Sequence, residues 1–461
     1  MQRVLRLIRR SPKGETNELT MNHIPSHQSD FTTDKKAIVV PESNAQIEDL
    51  DDLCRHLMKT NRDPSSIAIA SEVTEAYQNL NLSDRCLFMT HLNRDYDVNS
   101  VAISSAASNY QDDPTFKNLQ SLAKLVETPR QKLFSCINAA PDGLETLVRM
   151  RQDLLEFDLP IRIALGPVEE DLKSLLHSWF NRGFLRLQRI DWSSPASLLE
   201  KLIEHEAVHQ ISHWDDLRRR LQDDRRCYAF FHPAMETEPL VFVEVALTHE
   251  ISGNINELIN IDSEVADSST ADTAMFYSIS SCQRGLRGIS FGGLLIKQVV
   301  NELRSDLPGI KTFSTLSPVS SFSRWLSQQD AEKLGECHCV LSKHANSGPT
   351  DPDELRKSLE PYREPLMELM AEYLIDEQID GRPIDSVARF HLGNGSQLRA
   401  IHWMADVSEN GMTKSLGMMV NYVYDLDQIQ SNRQNFLQHK IIAAHPTIHS
   451  LAKRRSARSQ K

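Results

Sequence analysis

The chain has 461 residues, enough for two or three cores, with 40% hydrophobic and 25% charged residues, the make-up of an ordinary globular protein. Lys+Arg 51 against Asp+Glu 63 leaves a net charge of −12. That balance disfavours nucleic acid or an anionic membrane as a partner reached through global charge, so an anionic ligand needs a local site.

The first ten residues, MQRVLRLIRR, are basic and amphipathic and resemble the start of a transit peptide. Met21 offers a second start, and residues 1–44 are expected to be a disordered or non-native leader. From Ile47 to Trp179 the pattern is helical. Leu50, Leu53, Cys54 and Leu57 form an i, i+3, i+4, i+7 stripe, Leu119, Leu122 and Val126 mark another segment, and Leu144, Leu147, Met150, Leu154 and Leu155 a further one. Pro129 separates two of these helices, and Asp142-Gly143 and Leu159-Pro160 read as turns. The expectation for 45–178 is a helical bundle without chemistry of its own, used for association. No apolar run approaches the ~20 residues that cross a bilayer, so no membrane partner is expected.

The character changes near Gly183-Phe184. CYAFFH (227–232) and PLVFVEVALT (239–248) read as strands, as do Met275–Ile279 and the stretch ending at Phe313. A charged helical insert follows at about 330–380, and then strands at Val387–Leu392, Leu398–Met404 and Val420–Tyr424. Cys337-His338-Cys339 has the look of a metal fragment, but no second cysteine or histidine pair with finger spacing accompanies it, and no metal site is expected. The seven scattered cysteines read as reduced thiols of a cytosolic protein.

The segment 275–325 is the most informative. A strand leads into a turn with glycines at 285, 288, 292 and 293, and a helix follows with Ile296, Val299, Val300 and Leu303 on one face and Lys297, Asn301 and Arg304 elsewhere. A glycine-rich turn opening a helix presents unpaired N–H groups to a phosphate or pyrophosphate. Arg284 and Arg287 are either phosphate ligands or solvated, and their place in the turn favours the first. Gly288-Ile289-Ser290-Phe291-Gly292 also matches the G-x-S-x-G nucleophile elbow of hydrolases. The helical character upstream of residue 190 argues against the sheet an elbow needs, which favours the phosphate cradle.

Six motifs in order between about 183 and 425 resemble the malonyl-CoA decarboxylase family: HPAMETEPLVFVEVALT, FYSISSCQRGLRGISFGGLLIKQVV, FSTLSP, VARFHLGNG, HWMADVS and GMMVNYVY. The resemblance implies an α+β chain, with an all-helical N-terminal oligomerisation domain at 45–178 and a GNAT-like mixed α/β catalytic domain at 179–461. It implies malonyl-CoA as substrate, acetyl-CoA and carbon dioxide as products, no organic cofactor, and a homo-oligomer, dimer or tetramer. It places the CoA-phosphate loop on Arg287, Gly288, Ile289, Ser290, Phe291, Gly292 and Gly293, the catalytic serine on Ser317 and the catalytic histidine on His391. Some relatives carry an acid where this chain has Ser290. The peroxisomal signal of animal relatives is absent from the C-terminus, which implies a bacterial-type cytoplasmic enzyme.

Decarboxylating a β-carboxy thioester leaves an enolate, so the site needs hydrogen-bond donors at the thioester oxygen and a proton for the carbon. An imidazole titrating near neutral pH suits the second task, with Ser317 sharing the proton. Read without the resemblance, Ser317 is a turn residue before Pro318 and His391 a structural histidine in a strand. Asn421 and Tyr422 are candidate pocket residues, Tyr422 equally a core residue, and His402 either supports the site or is structural. An acyltransferase, a thioester hydrolase using Ser290 and a non-catalytic acyl-CoA sensor remain as alternatives.

Overall fold

The computed structural model describes residues 45–60, 65–181, 183–289, 291–346 and 352–459. Their contacts divide the chain into two compact units, one holding residues up to 181 plus 283–289, the other 182–282 and 290 onwards.

The first unit is helical: α1 (Ala45–Thr60), α2 (Ser66–Asn79), α3 (Leu82–Asp95), α4 (Ser100–Asp112), α5 (Phe116–Val126), α6 (Pro129–Ile137), α7 (Gly143–Glu156), α8 (Leu159–Ala164) and α9 (Gly166–Trp179). Its helix starts are written locally. Asn81, Thr115 and Thr128 each accept a hydrogen bond from the N–H three residues on, satisfying donors the first turn leaves over. Pro129 and Pro160 sit in first turns, where a missing N–H costs nothing; Pro129 separates α5 from α6 as the sequence suggested, and Pro160 begins a helix where a turn was expected. Leu50, Cys54, Leu57, Leu133, Leu147 and Leu172 are fully buried. Buried Arg130 pairs with Asp171 at 2.8 Å and Arg85 with Asp153 at 3.2 Å. The stripe on α5 behaves differently. That helix has no buried residue, with Leu119 at 43% and Val126 at 55% exposure, because among the described residues only α4 packs against it closely.

The return segment Gln283–Ile289 completes this unit. A Cβ on Gly285 would lie 2.0 Å from the Val148 carbonyl oxygen of α7, and Arg151 donates to the Gly285 carbonyl at 2.6 Å. The first glycine of the turn is therefore required by helix packing.

The second unit is built on an eight-stranded mixed sheet ordered β1-β2-β3-β4-β5-β10-β6, with β9 added against β10. The strands are β1 (Arg186–Ile190), β2 (Arg225–Phe231), β3 (Val241–Thr248), β4 (Thr273–Ser281), β5 (Thr312–Thr315), β6 (Ser317–Pro318), β9 (Gln397–His402) and β10 (Met419–Val423); β7 (Gln378–Ile379) and β8 (Arg382–Pro383) form a separate hairpin. β1 to β4 run antiparallel. β4 and β5 are parallel, joined by the crossover helix that such a pair requires, α13 (Gly292–Asp306). Only Thr273–Phe276 of β4 pairs with β5; from Tyr277 onward β4 leaves its neighbour. The other helices are α10 (Ala196–His205), α11 (Trp214–Arg220), α12 (Ile255–Ile259), α14 (Phe322–Leu326), α15 (Ala331–Leu334), α16 (His338–Asn346), α17 (Pro352–Leu359), α18 (Arg363–Ile375), α19 (Ser386–Gly393), α20 (Glu409–Ser415), α21 (Ile429–Gln434) and α22 (Pro446–Ser459).

β2 and β3 are buried along nearly their whole length, which is why they read as continuous apolar runs. The charged exception in β3 is Glu244, fully buried and held by Arg220 of α11 at 3.1 Å. Burial outweighs that ion pair and pushes its carboxyl up to about 8.

The charged stretch at about 330–380 is helical as expected, and Leu359, Leu366, Leu369, Met370 and Leu374 share one core with Leu392, Val420 and Tyr422. One expectation fails. Val387–Leu392 is not a strand but most of α19. Asp385 caps that helix by accepting the Ala388 N–H at 2.8 Å, Ala388, His391 and Leu392 form its buried side, and Gly395, at φ +89°, turns the chain away. The β-branched and aromatic residues suggested strand, but cap, spacing and stop together outweigh that preference. Among the described residues no helix is long and apolar enough to cross a membrane.

Candidate active site

Ser317 opens β6 and pairs with Val420 of β10. Pro318 disfavours helical backbone at the residue before it, which suits this extended position. The Ser317 hydroxyl is buried, 3.1 Å from His391 Nε2 and 2.8 Å from Thr315 Oγ1. His391 comes from the last turn of α19, 74 residues away in sequence. Its Nδ1 lies 2.8 Å from the Tyr424 hydroxyl, and its ring stacks on Tyr422 at 4.6 Å between centroids and 21° between planes. The structure thus brings together Ser317 and His391, which the motifs singled out. It adds Thr315 and Tyr424, which they did not.

The expectation that this imidazole titrates near neutral pH is not met. His391 is 3% exposed, and burial lowers its pKa from 6.5 to about 3, so the ring is neutral at pH 7. The Tyr424 phenol is likewise pushed far up by burial.

Tyr422 is fully buried, and among the described residues its hydroxyl has no hydrogen-bond partner; its contribution is the ring face beneath His391. Asn421 is buried and its polar atoms are engaged. It donates to the Thr315 carbonyl at 2.8 Å and the Ser252 carbonyl at 3.1 Å, and its oxygen meets His402 Nε2. His402 is accordingly a structural partner of Asn421, held close to Gly253, where a Cβ would be 2.3 Å from its Nδ1.

The proposed phosphate loop divides. Arg284 is 79% exposed and lies 3.7 Å from Glu156, while Arg287 and Gly288 are exposed, Gly288 at φ +85°. Ile289 is buried, and Ser290 lies outside the described residues. Phe291 is buried at the N-cap of α13, and its side chain makes no cap hydrogen bond. A Cβ on Gly293 would stand 2.1 Å from Asn394 Oδ1, so two distant motifs, G-I-S-F-G-G and F-H-L-G-N-G, meet at this point. Beside it a cleft of about 800 Å³ runs along α13, lined among others by Lys297, Asn301, Arg304, Arg433, Asn394 and Tyr424. Its lining holds three cations and no carboxylate, in a chain of net charge −12. Lys297, Asn301 and Arg304 are the i, i+4, i+7 stripe that flanks the apolar face of α13. That spacing was the signal by which they could have been found.

A mixed-sheet unit with a buried serine–histidine pair beside a basic cleft defines an enzyme whose ligand is anionic. Family models narrow this. Residues 183–461 match the malonyl-CoA decarboxylase C-terminal domain, and residues 96–180 match the N-terminal domain of the same family. The chain belongs to the malonyl-CoA decarboxylase family. It is 36% identical over 375 residues to the mitochondrial malonyl-CoA decarboxylase of Anser anser anser, spanning 75% of this chain and 74% of that protein. Solved malonyl-CoA decarboxylase structures resemble it closely. The one from Rhodopseudomonas palustris has TM-score 0.80 and 38% identity, covering 89% of this chain and 100% of the other. That from Agrobacterium vitis has TM-score 0.78 and 41% identity, covering 87% and 99%.

Proposed function

We propose that the chain decarboxylates malonyl-CoA to acetyl-CoA and carbon dioxide, with Ser317 and His391 as the catalytic pair. The observation that carries this reading is the buried Ser317–His391 contact linked through Tyr424 to the basic cleft. CoA is polyanionic, and Lys297, Arg304 and Arg433 supply the local positive charge that the chain as a whole lacks. The start of α13 at Gly292 and Gly293 turns N–H groups outward, a setting that suits a phosphate.

In this scheme the bond from C2 to the carboxylate carbon breaks, carbon dioxide leaves, and the electron pair moves into the thioester enolate. Donors aimed at the enolate oxygen are worth ~3–4 kcal/mol each, on the scale of oxyanion-hole mutants. The enolate carbon then takes a proton from the Ser317–His391 pair, and Tyr424, at the edge of the cleft, is placed to restore it from solvent. No acyl-enzyme forms. Incubation with malonyl-CoA is expected to yield acetyl-CoA and carbon dioxide in equal amounts. Free CoA as the main product would instead indicate a hydrolase acting through Ser290, and tight binding without turnover a sensor.

The helical unit is read as the contact between copies of this chain, through the α4–α5 hairpin, where Val101 is 77% and Phe116 73% exposed. A cytoplasmic setting is supported by the cysteines, among which the described residues show no disulfide. Activity that sediments with mitochondria, where the named curated relatives are placed, would overturn that location.

A further inference from the structure

We propose that Thr315 is a positioning residue that sets the direction of every hydrogen bond through the pair, holding His391 as the neutral Nε2–H tautomer and Ser317 as an acceptor toward it. The inference rests on reading Ser317 and His391 as the reacting pair. It concerns which atom carries each proton.

A serine hydroxyl has one proton to give. The Ser317 hydroxyl donates to Thr315 Oγ1 at 2.8 Å. Thr315 is 1% exposed, and its Oγ1 is fixed a second time by the Tyr422 N–H at 3.3 Å. Tyr422 is also the residue whose ring lies under His391, so the hydroxyl acceptor and the imidazole are registered by one side of β10. With the serine proton directed to Thr315, the 3.1 Å contact to His391 is a hydrogen bond only if Nε2 carries hydrogen. Burial keeps a second proton off the ring, so Nδ1 is bare and accepts from the Tyr424 hydroxyl at 2.8 Å. The sequence of donors is Tyr424, His391, Ser317, Thr315.

That direction is the reverse of a nucleophilic dyad, in which serine gives its proton to imidazole and attacks. Thr315 therefore holds a buried Ser–His pair off acyl transfer. On delivery the Ser317 proton leaves Thr315 for the enolate carbon and is replaced from His391 Nε2–H, while Nδ1 takes the Tyr424 proton. A threonine at a strand end ordinarily has no such role; here both of its hydroxyl contacts lead to the site.

Thr315→Val removes the hydroxyl at nearly constant shape, and Thr315→Ser restores it. Nitrogen-15 spectra of histidine-labelled full-length protein, assigned against His391→Asn, read the tautomer. Wild type and Thr315→Ser are expected to show protonated Nε2, and Thr315→Val to shift His391 wholly or partly to the Nδ1–H form. A fluorophosphonate, which labels nucleophilic serines, should react with Ser317 ~10²-fold faster in Thr315→Val than in wild type, the scale a general base contributes. Ser317→Ala should abolish that labelling. A wild-type ring with Nδ1–H overturns the proposal without any variant, as does unchanged labelling in a folded Thr315→Val. Absent turnover of malonyl-CoA by wild type would sink the reaction while leaving the tautomer readable.

Discussion

Helix termini favour a cationic histidine by at most ~2 kcal/mol, and His391 lies in the last turn of α19. Burial acts against the charge and wins: a fall from 6.5 to about 3, at ~1.4 kcal/mol per unit, exceeds what the helix end returns. His391 is thus expected to contribute no ionisation to the rate between pH 5 and 8. His391→Asn should lower kcat at least ~10²-fold, the usual loss of a general acid, and leave the shape of the residual pH profile unchanged. A limb present in wild type and missing from the variant would show that the ring titrates during turnover. Ser317→Ala should lower kcat with KM nearly kept, because its contact strengthens only as charge develops. The motifs pointed to Ser317 and His391, which the fold brings into contact, but their environment was not legible, since burial is a property of the surrounding core. Tyr424 was legible in principle: it follows Tyr422 by two, the spacing that puts strand residues on one face.

At the scale of elements, strands and helices with strong periodicity were readable, and errors arose where two signals competed. α19 carries strand-forming residues inside a capped helix of about two turns, and only the Asp385 cap and the Gly395 stop reveal it. The α5 stripe was readable as helix, yet its apolar face meets no core, because burial of a stripe depends on a partner that the local sequence does not describe. That face is expected to be the seam between copies. Replacing Phe116 and Leu119 together by glutamate should lower the mass seen by light scattering while leaving helical content unchanged. Equal mass before and after would remove α5 from the interface. The glycine turn shows the same split. Gly285 is fixed by α7, whereas Gly288 faces open space and is held by its positive φ alone.

For the molecule as a whole, the buried charges set how stability follows pH. Glu244 is raised from 4.5 to about 8 on folding, so the folded state holds the extra proton between those values. Its contribution is complete below about 4.5 and is lost as pH rises through 8. His391 works in the opposite sense: its depressed pKa makes its share complete above 6.5, to be lost as pH falls toward 3. Denaturant midpoints measured from pH 5 to 9 should fall more steeply in wild type than in Glu244→Gln, which cannot take up that proton. Parallel curves would mean that Arg220 keeps Glu244 ionised after all. None of this was visible from net charge, because the one carboxylate concerned is hidden inside β3.

The meeting of Gly293 with Asn394 carries a consequence for how such chains can change over time. The two positions lie 101 apart in number, yet the space of a single methyl group at one is filled by the amide of the other. Position 293 cannot gain a side chain alone. An alanine there becomes admissible only once the Asn394 side chain has shrunk or turned aside, while the backbone N–H of residue 394 still closes the helix bearing His391. A side chain at 293 should therefore occur in family sequences only together with a smaller residue at 394, whereas glycine at 293 should tolerate changes at 394.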